Sequence, residues 1–275
     1  MTTPSIETTD IALVFLGDSD MAKWPSNLLP SLTTKEDLEH HRIHQVNFNH
    51  SQSGALLSNV HTQLPKAMRE LGEENNKSKR IFFIACAGEN DISSGQPIDT
   101  VIQSFTSFMQ SIFKETTCAT RPHLIFFGPK LEPWLDDDIG SRKLYYQLSQ
   151  RMLRSCIDLN STVTEDHNNH ESHDHSHDHA DHLCHQHINC NSDGRNITYI
   201  DCLTMFCERG EELRTGILSG EMKADPKYFD ADGLHLNEEG YVKWKEELES
   251  VLSHLICNET CGESLDRSLE NIKLD

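Results

Sequence analysis

Four short stretches of this chain carry residue types that could together transfer an acyl group. In Gly17-Asp18-Ser19-Asp20 a serine directly follows an apolar run. At the carboxyl end of a β-strand a serine hydroxyl is exposed and backbone N–H groups can face an anion, which suits a nucleophile with part of an oxyanion hole beside it. Taken alone, Gly-Asp-Ser is equally ordinary turn and N-cap chemistry. Gly88-Glu89-Asn90-Asp91 follows another apolar run and offers an amide that can donate to a developing oxyanion without titrating, although an Asx-turn would look the same. In Asn49-His50-Ser51-Gln52-Ser53-Gly54, the N–H of Gly54 is a further candidate donor, or the glycine merely permits a tight turn. Finally, Phe229 to Asn237 contains Asp232 and His235. At that spacing on a loop, the carboxylate can accept from imidazole Nδ1, which frees the opposite nitrogen to take a proton from serine.

These stretches can meet only if the elements before them end at one edge of a sheet. Short apolar runs of β type alternate with longer segments of helical period, the pattern of a parallel sheet covered by helices on both faces. Strands are expected at Ile11 to Leu16, Arg42 to Phe48, Arg80 to Cys86, His123 to Phe127 and Ile197 to Asp201. Between the third and fourth, Ile98, Val101, Ile102, Phe105, Phe108, Met109, Ile112 and Phe113 recur at intervals of three and four. That stripe is one core-facing side of a helix. Further helices are read at Ala55 to Leu71, Ser141 to Leu159 and Glu238 to Ile256. The result is an α/β chain in three layers, with four stretches of candidate chemistry at strand ends or before the last helix.

Composition narrows the function. With 24 Lys+Arg against 44 Asp+Glu among 275 residues, the formal net charge is -20. Nucleic-acid binding needs clustered cations for counterion release, and this chain lacks them. No run approaches the ~20 apolar residues of a membrane span. Met1 to Asp10 has neither the basic start nor the apolar run of a signal peptide, so a cytoplasmic protein is expected. Nine scattered cysteines, several in apolar runs, suggest reduced and mostly buried thiols.

Taken together, the four blocks resemble the SGNH hydrolases, the GDSL-type esterase/lipase superfamily. Gly17-Asp18-Ser19, Gly54, Gly88-x-Asn90-Asp91 and Asp232-x-x-His235 occur in that family's order and approximate spacing across residues 11 to 256, the His-rich insert apart. Trp24, Ala87 to Ile92, and Asp232 to Tyr241 also look like a branch of small esterases. The resemblance implies a three-layer α/β/α sandwich with a flavodoxin-like parallel sheet of about five strands, and no cofactor. It implies Ser19 as nucleophile, His235 as general base and then acid, and Asp232 as the residue orienting His235. The oxyanion hole would be the backbone N–H groups of Ser19 and Gly54 and the side chain of Asn90. Three departures stand out. Asp20 occupies a position where many members are hydrophobic, and it would repel anionic substrates or face solvent. Ser51 replaces the first glycine of the second block, and Asp230 is a second carboxylate near His235.

Residues 164–195 interrupt this domain with His, Asp, Asn and Ser, including nine of the chain's 17 histidines. Such a composition cannot bury enough surface to offset its ordering entropy, so a disordered insert is expected. His173, His175, His177 and His179, with their neighbours, would bind divalent metal adventitiously, the spacing being repetitive and not that of a fixed tetrahedral site. A single domain over residues 1–257 is followed by a polar tail at 258–275. The expected activity is hydrolysis of a short-chain acyl ester, a small molecule. The rival readings are a non-catalytic binding module of the same fold and a metal-binding protein built on the insert.

Overall fold

The computed structural model describes residues 7–32, 41–73, 80–115, 122–161, 196–207, 216–217 and 219–270, with the side chains at 7–9, 41–42, 73, 115, 161 and 257–270 left aside. The His-rich segment and its candidate metal ligands lie outside the described residues, as do 271–275.

Five strands form one all-parallel sheet: β1 (Glu7–Gly17), β2 (His41–Asn49), β3 (Arg80–Cys86), β4 (His123–Phe127) and β5 (Asn196–Ile200). Their order is β2-β1-β3-β4-β5. This is a flavodoxin-like order, the sheet type that the family resemblance implied, with the reversal of winding falling between β1 and β3. All five expected strands are present. β1 begins four residues earlier than its apolar run because Glu7 to Asp10 pair with β2 alone, whereas β3 joins the ladder only at Ile11. Half-paired residues need not be apolar.

Because β1 is buried on both faces, its side chains alternate between two cores. Ala12, Val14 and Leu16 pack with Val60, Leu64, Phe105, Phe108 and Met152, while Ile11, Leu13 and Phe15 pack with Trp24, Trp244 and Leu248. The first core belongs to helices α2 (Leu57–Glu73), α4 (Ile98–Glu115) and α5 (Ile139–Ser161). The second belongs to α6 (Glu238–Glu270) and the short α1 (Ser19–Lys23). Each fully buried Phe or Leu in these layers stabilises the fold by roughly 1.5–3 kcal/mol. The apolar stripe of α4 faces the core as its period required, with Val101, Phe105, Phe108, Met109 and Ile112 all fully buried. The backbone of α6 continues as helix through Glu270, into the segment read as a polar tail.

Cys86, Cys156 and Cys202 are buried and unpaired by disulfides, and Cys207 is half-buried. No helix among the described residues is long and apolar enough to cross a membrane.

Candidate active site

β1 runs into α1 through a turn that only glycine can make. Gly17 has φ +151°, and a Cβ there would lie 2.4 Å from the carbonyl oxygen of Cys86 in β3. The buried Gln63 of α2 clamps this turn from the other side: its Oε1 accepts from Gly17 N at 2.8 Å and its Nε2 donates to Gly17 O at 2.9 Å. Asp18 N donates to Cys86 O at 3.2 Å, and the Asp18 carboxylate accepts from Asp20 N at 3.2 Å, capping α1. Ser19 is therefore the first residue of a helix rigidly attached to the sheet edge, and its side chain is partly exposed. As the first helical residue its N–H has no intrahelical acceptor.

The second and third blocks are tied to one another and to this turn. Gln52 N donates to Gly17 O at 2.9 Å, and Asn49 Nδ2 donates to Met21 O at 3.0 Å. Asn90 lies in the short helix α3 (Glu89–Ser93), and its Nδ2 donates to Ala55 O at 3.2 Å, fixing the amide beside Gly54. Next to it, Asp91 accepts from Leu57 N at 3.0 Å, which pins the start of α2. Gly54 is exposed at φ +73°, and among the described residues its N–H has no acceptor. One hydrogen of the Asn90 amide is likewise left over. Three donors thus remain without acceptors near the end of β1.

In the fourth block, Asp232 and His235 form a pair. Asp232 Oδ2 lies 2.6 Å from His235 Nδ1, while Oδ1 accepts from the N–H groups of Leu234 at 2.9 Å and His235 at 3.0 Å. Accepting from the imidazole and two backbone amides holds the Asp232 carboxyl far below the usual carboxylate range. Asp230 contributes its backbone to the loop, its N–H donating to His235 O at 2.8 Å and its carbonyl accepting from Gly233 N at 2.9 Å. The carboxylate on the imidazole is thus that of Asp232. The loop also reaches the serine helix, since Leu236 N donates to Asp20 Oδ1 at 3.4 Å and Tyr241 OH donates to Asp20 O at 2.9 Å. The residue after His235 is hydrogen-bonded to the residue after Ser19. Among the described residues neither Ser19 Oγ nor His235 Nε2 has a hydrogen-bond partner. Such bonds commonly tighten only when substrate binds.

Asp20 corrects the expectation that it repels substrates or faces solvent: it is buried and ionically paired. Lys130 Nζ, also buried, lies 2.7 Å from Asp20 Oδ2, 2.9 Å from Glu89 Oε2 and 2.6 Å from Glu132 Oε1. Lys130 N further donates to Glu89 Oε1 at 2.7 Å. The three acidic oxygens are close enough together to suit a metal ion, but the lysine ammonium already stands among them. Burial alone would make Lys130 easier to deprotonate; the carboxylates of Asp20, Glu132 and Glu89 overcome this and hold its pKa well above the ordinary lysine value. Three acids share this cation, and Asp18 feels its charge. Burial first, and then the neighbouring negative charges, push Asp18 well up. Burial likewise raises Glu132, against the opposing pull of Lys130. The same surroundings raise the Cys86 thiol, chiefly through burial, so it stays protonated and is no rival nucleophile.

The ionic cluster was not foreseen in the sequence. Lys130 and Glu132 follow β4, and their place at the same carboxyl edge as Ser19 and Asn90 was the available signal. An open groove runs along Tyr228, Asn237, Val242 and Lys243 at the start of α6.

No protein-family model matches the chain, and no curated protein matches it significantly. Solved structures do. The "putative platelet activating factor" of Streptococcus pneumonia superposes with a TM-score of 0.50 at 14% identity, over 89% of this chain and 85% of that one. The psychrotrophic esterase EstA of Pseudoalteromonas sp. gives 0.49 at 14% identity, over 89% and 98%. An acetyl-xylooligosaccharide esterase of Geobacillus Stearmophilus gives 0.45 at 13% identity, over 90% and 94%. Its five parallel strands in the order β2-β1-β3-β4-β5, with helices on both faces, form a three-layer α/β/α fold shared with the Streptococcus structure.

Proposed function

We propose that this protein is a serine ester hydrolase that cleaves a short-chain acyl ester through an acyl-serine intermediate. The observation that carries this reading is the Asp232–His235 pair, 2.6 Å apart, on a loop hydrogen-bonded to the residue beside Ser19. It is supported by the candidate donors of Ser19, Gly54 and Asn90, none of which is fully used among the described residues.

In this reading Ser19 Oγ attacks the ester carbonyl carbon while His235 Nε2 takes the hydroxyl proton. Asp232 keeps the proton on Nδ1 and stabilises the imidazolium. The carbonyl oxygen becomes an oxyanion, met by Ser19 N–H, Gly54 N–H and the Asn90 amide, in positions fixed before substrate arrives. As the carbon–oxygen bond to the alcohol breaks, His235 returns its proton to the departing oxygen. Water, deprotonated by the same nitrogen, then attacks the acyl-serine; as the bond from the acyl carbon to Ser19 Oγ breaks, His235 returns that proton to Ser19 and the carboxylic acid leaves, so that both residues end as they began.

The test is hydrolysis of p-nitrophenyl acetate by the whole chain, with stoichiometric phosphonylation of Ser19 by a neutral phosphonate ester. Ser19→Ala is expected to abolish both while leaving the circular dichroism unchanged. A wild-type protein inert towards a range of acyl esters and unlabelled by the phosphonate refutes the reading and favours a binding module of the same fold.

A further inference from the structure

We propose that Trp134 selects the substrate, receiving on its indole an apolar part of the ester of butyl to phenyl size. This deepens the esterase reading and rests on it.

Trp134 stands between the two flanks of the candidate site. On one side, a Cβ at Gly233, two residues before His235, would lie 3.4 Å from Pro133 Cβ and 3.7 Å from Trp134 N. On the other, the indole packs edge-on against Tyr145, with centroids 6.4 Å apart at 79°, and the Tyr145 hydroxyl lies 3.4 Å from Ser93 Oγ in the helix that carries Asn90. The residue therefore adjoins the turn before His235 and, through Tyr145, connects to the helix that carries Asn90. Its side chain remains 41% exposed, and Leu234, adjacent to His235, is also among the few large apolar residues left in solvent.

Exposure alone would be unremarked, since single apolar residues are common on surfaces. The anchoring of this one is not. Trp134 Nε1 donates to Glu132 Oε2, and Glu132 is fully buried with its other oxygen on Lys130 Nζ. An indole whose N–H points inward to a buried acid cannot turn its polar edge to water. The ring is held open at the rim in one orientation, so little rotamer freedom remains to be lost on binding. A fixed aromatic wall suits an apolar ligand group.

Two ester series measured by pH-stat test this in the wild type, Trp134→Ala and Trp134→Phe. One varies the acyl group (ethyl acetate, butyrate, hexanoate); the other varies the alcohol (ethyl, butyl and benzyl acetate). A fully buried methylene is worth about fourfold, so a one-sided wall should give about twofold per methylene in kcat/KM along one series. Trp134→Ala should flatten that rise, mainly through KM, and Trp134→Phe should keep most of it. Unchanged slopes in Trp134→Ala, or no slope in the wild type in either series, overturn the inference. Labelling of Ser19 by the phosphonate separates the two failures. Labelling with unchanged slopes removes only the role of Trp134, whereas absence of both labelling and hydrolysis in the wild type removes the esterase reading and this inference together.

Discussion

Replacing Lys130 with methionine keeps most of the side-chain volume and removes the one cation that faces Asp20, Glu89 and Glu132 at 2.6–2.9 Å. All four side chains are buried, so water cannot substitute for the ammonium. Breaking a buried ion pair by deleting one partner typically costs 3–5 kcal/mol. In a domain of this size, 1 kcal/mol moves Tm by about 2–4 °C, so Lys130→Met should melt about 6–20 °C below the wild type near pH 8. The sign of the pH dependence follows from the shifts. The raised Lys130 contributes stability that is fully present below the unfolded lysine value and lost only as pH rises through its higher folded value. Asp18 and Glu132, raised acids, favour the fold most at low pH and less as pH rises above their unfolded values. Without the lysine, that second trend has no counterweight, so the gap in Tm should be widest near pH 8 and narrow towards pH 5. Adding Glu132→Gln to Lys130→Met should recover part of the loss. Thermal unfolding followed by circular dichroism at the two pH values is the assay. A gap under about 2 °C, or one independent of pH, would refute the view that Lys130 holds the cluster together.

Four further outcomes are expected. Asp232→Asn should lower kcat by about 10²-fold or more without changing Tm appreciably, because the imidazole loses its orienting charge at an exposed site; unchanged kcat would remove Asp232 from the mechanism. Since Asp232 stays ionised far below the usual carboxylate range, kcat/KM against pH should show no inflection from this carboxylate, which a pH–rate profile checks. Asn90→Ala should cost ~10²-fold or more in kcat with the fold intact, and near-normal turnover would disqualify it as an oxyanion donor. Gly17→Ala places a Cβ 2.4 Å from Cys86 O in a backbone conformation that alanine resists, so it should lower both Tm and soluble yield.

Much of the fold was legible because its strands are buried on both faces and read as unbroken apolar runs. β3 and β4 fall at the limits their sequences indicate, Arg80–Cys86 and His123–Phe127. The candidate site was legible for another reason: its residues cluster in short blocks at strand ends, where local spacing carries the signal. The pair formed by Asp232 and His235 lies within four positions of chain. The ionic cluster has no such signature. Asp20, Glu89 and Lys130 meet across separations of 41 and 110 positions, and each reads by composition as a solvated charge. Only the three-dimensional meeting of three strand ends reveals that Asp20 points inward. Trp134 escaped notice similarly, its significance arising from the buried acid two residues before it.

The bond from Tyr241 to the carbonyl of Asp20 joins the last helix to the first across 221 positions. The segment bearing Ser19 is therefore synthesised well before its latch and before His235, with the four strands β2 to β5 in between. If the protein works as proposed, a nascent polypeptide that lacks both is inert towards esters.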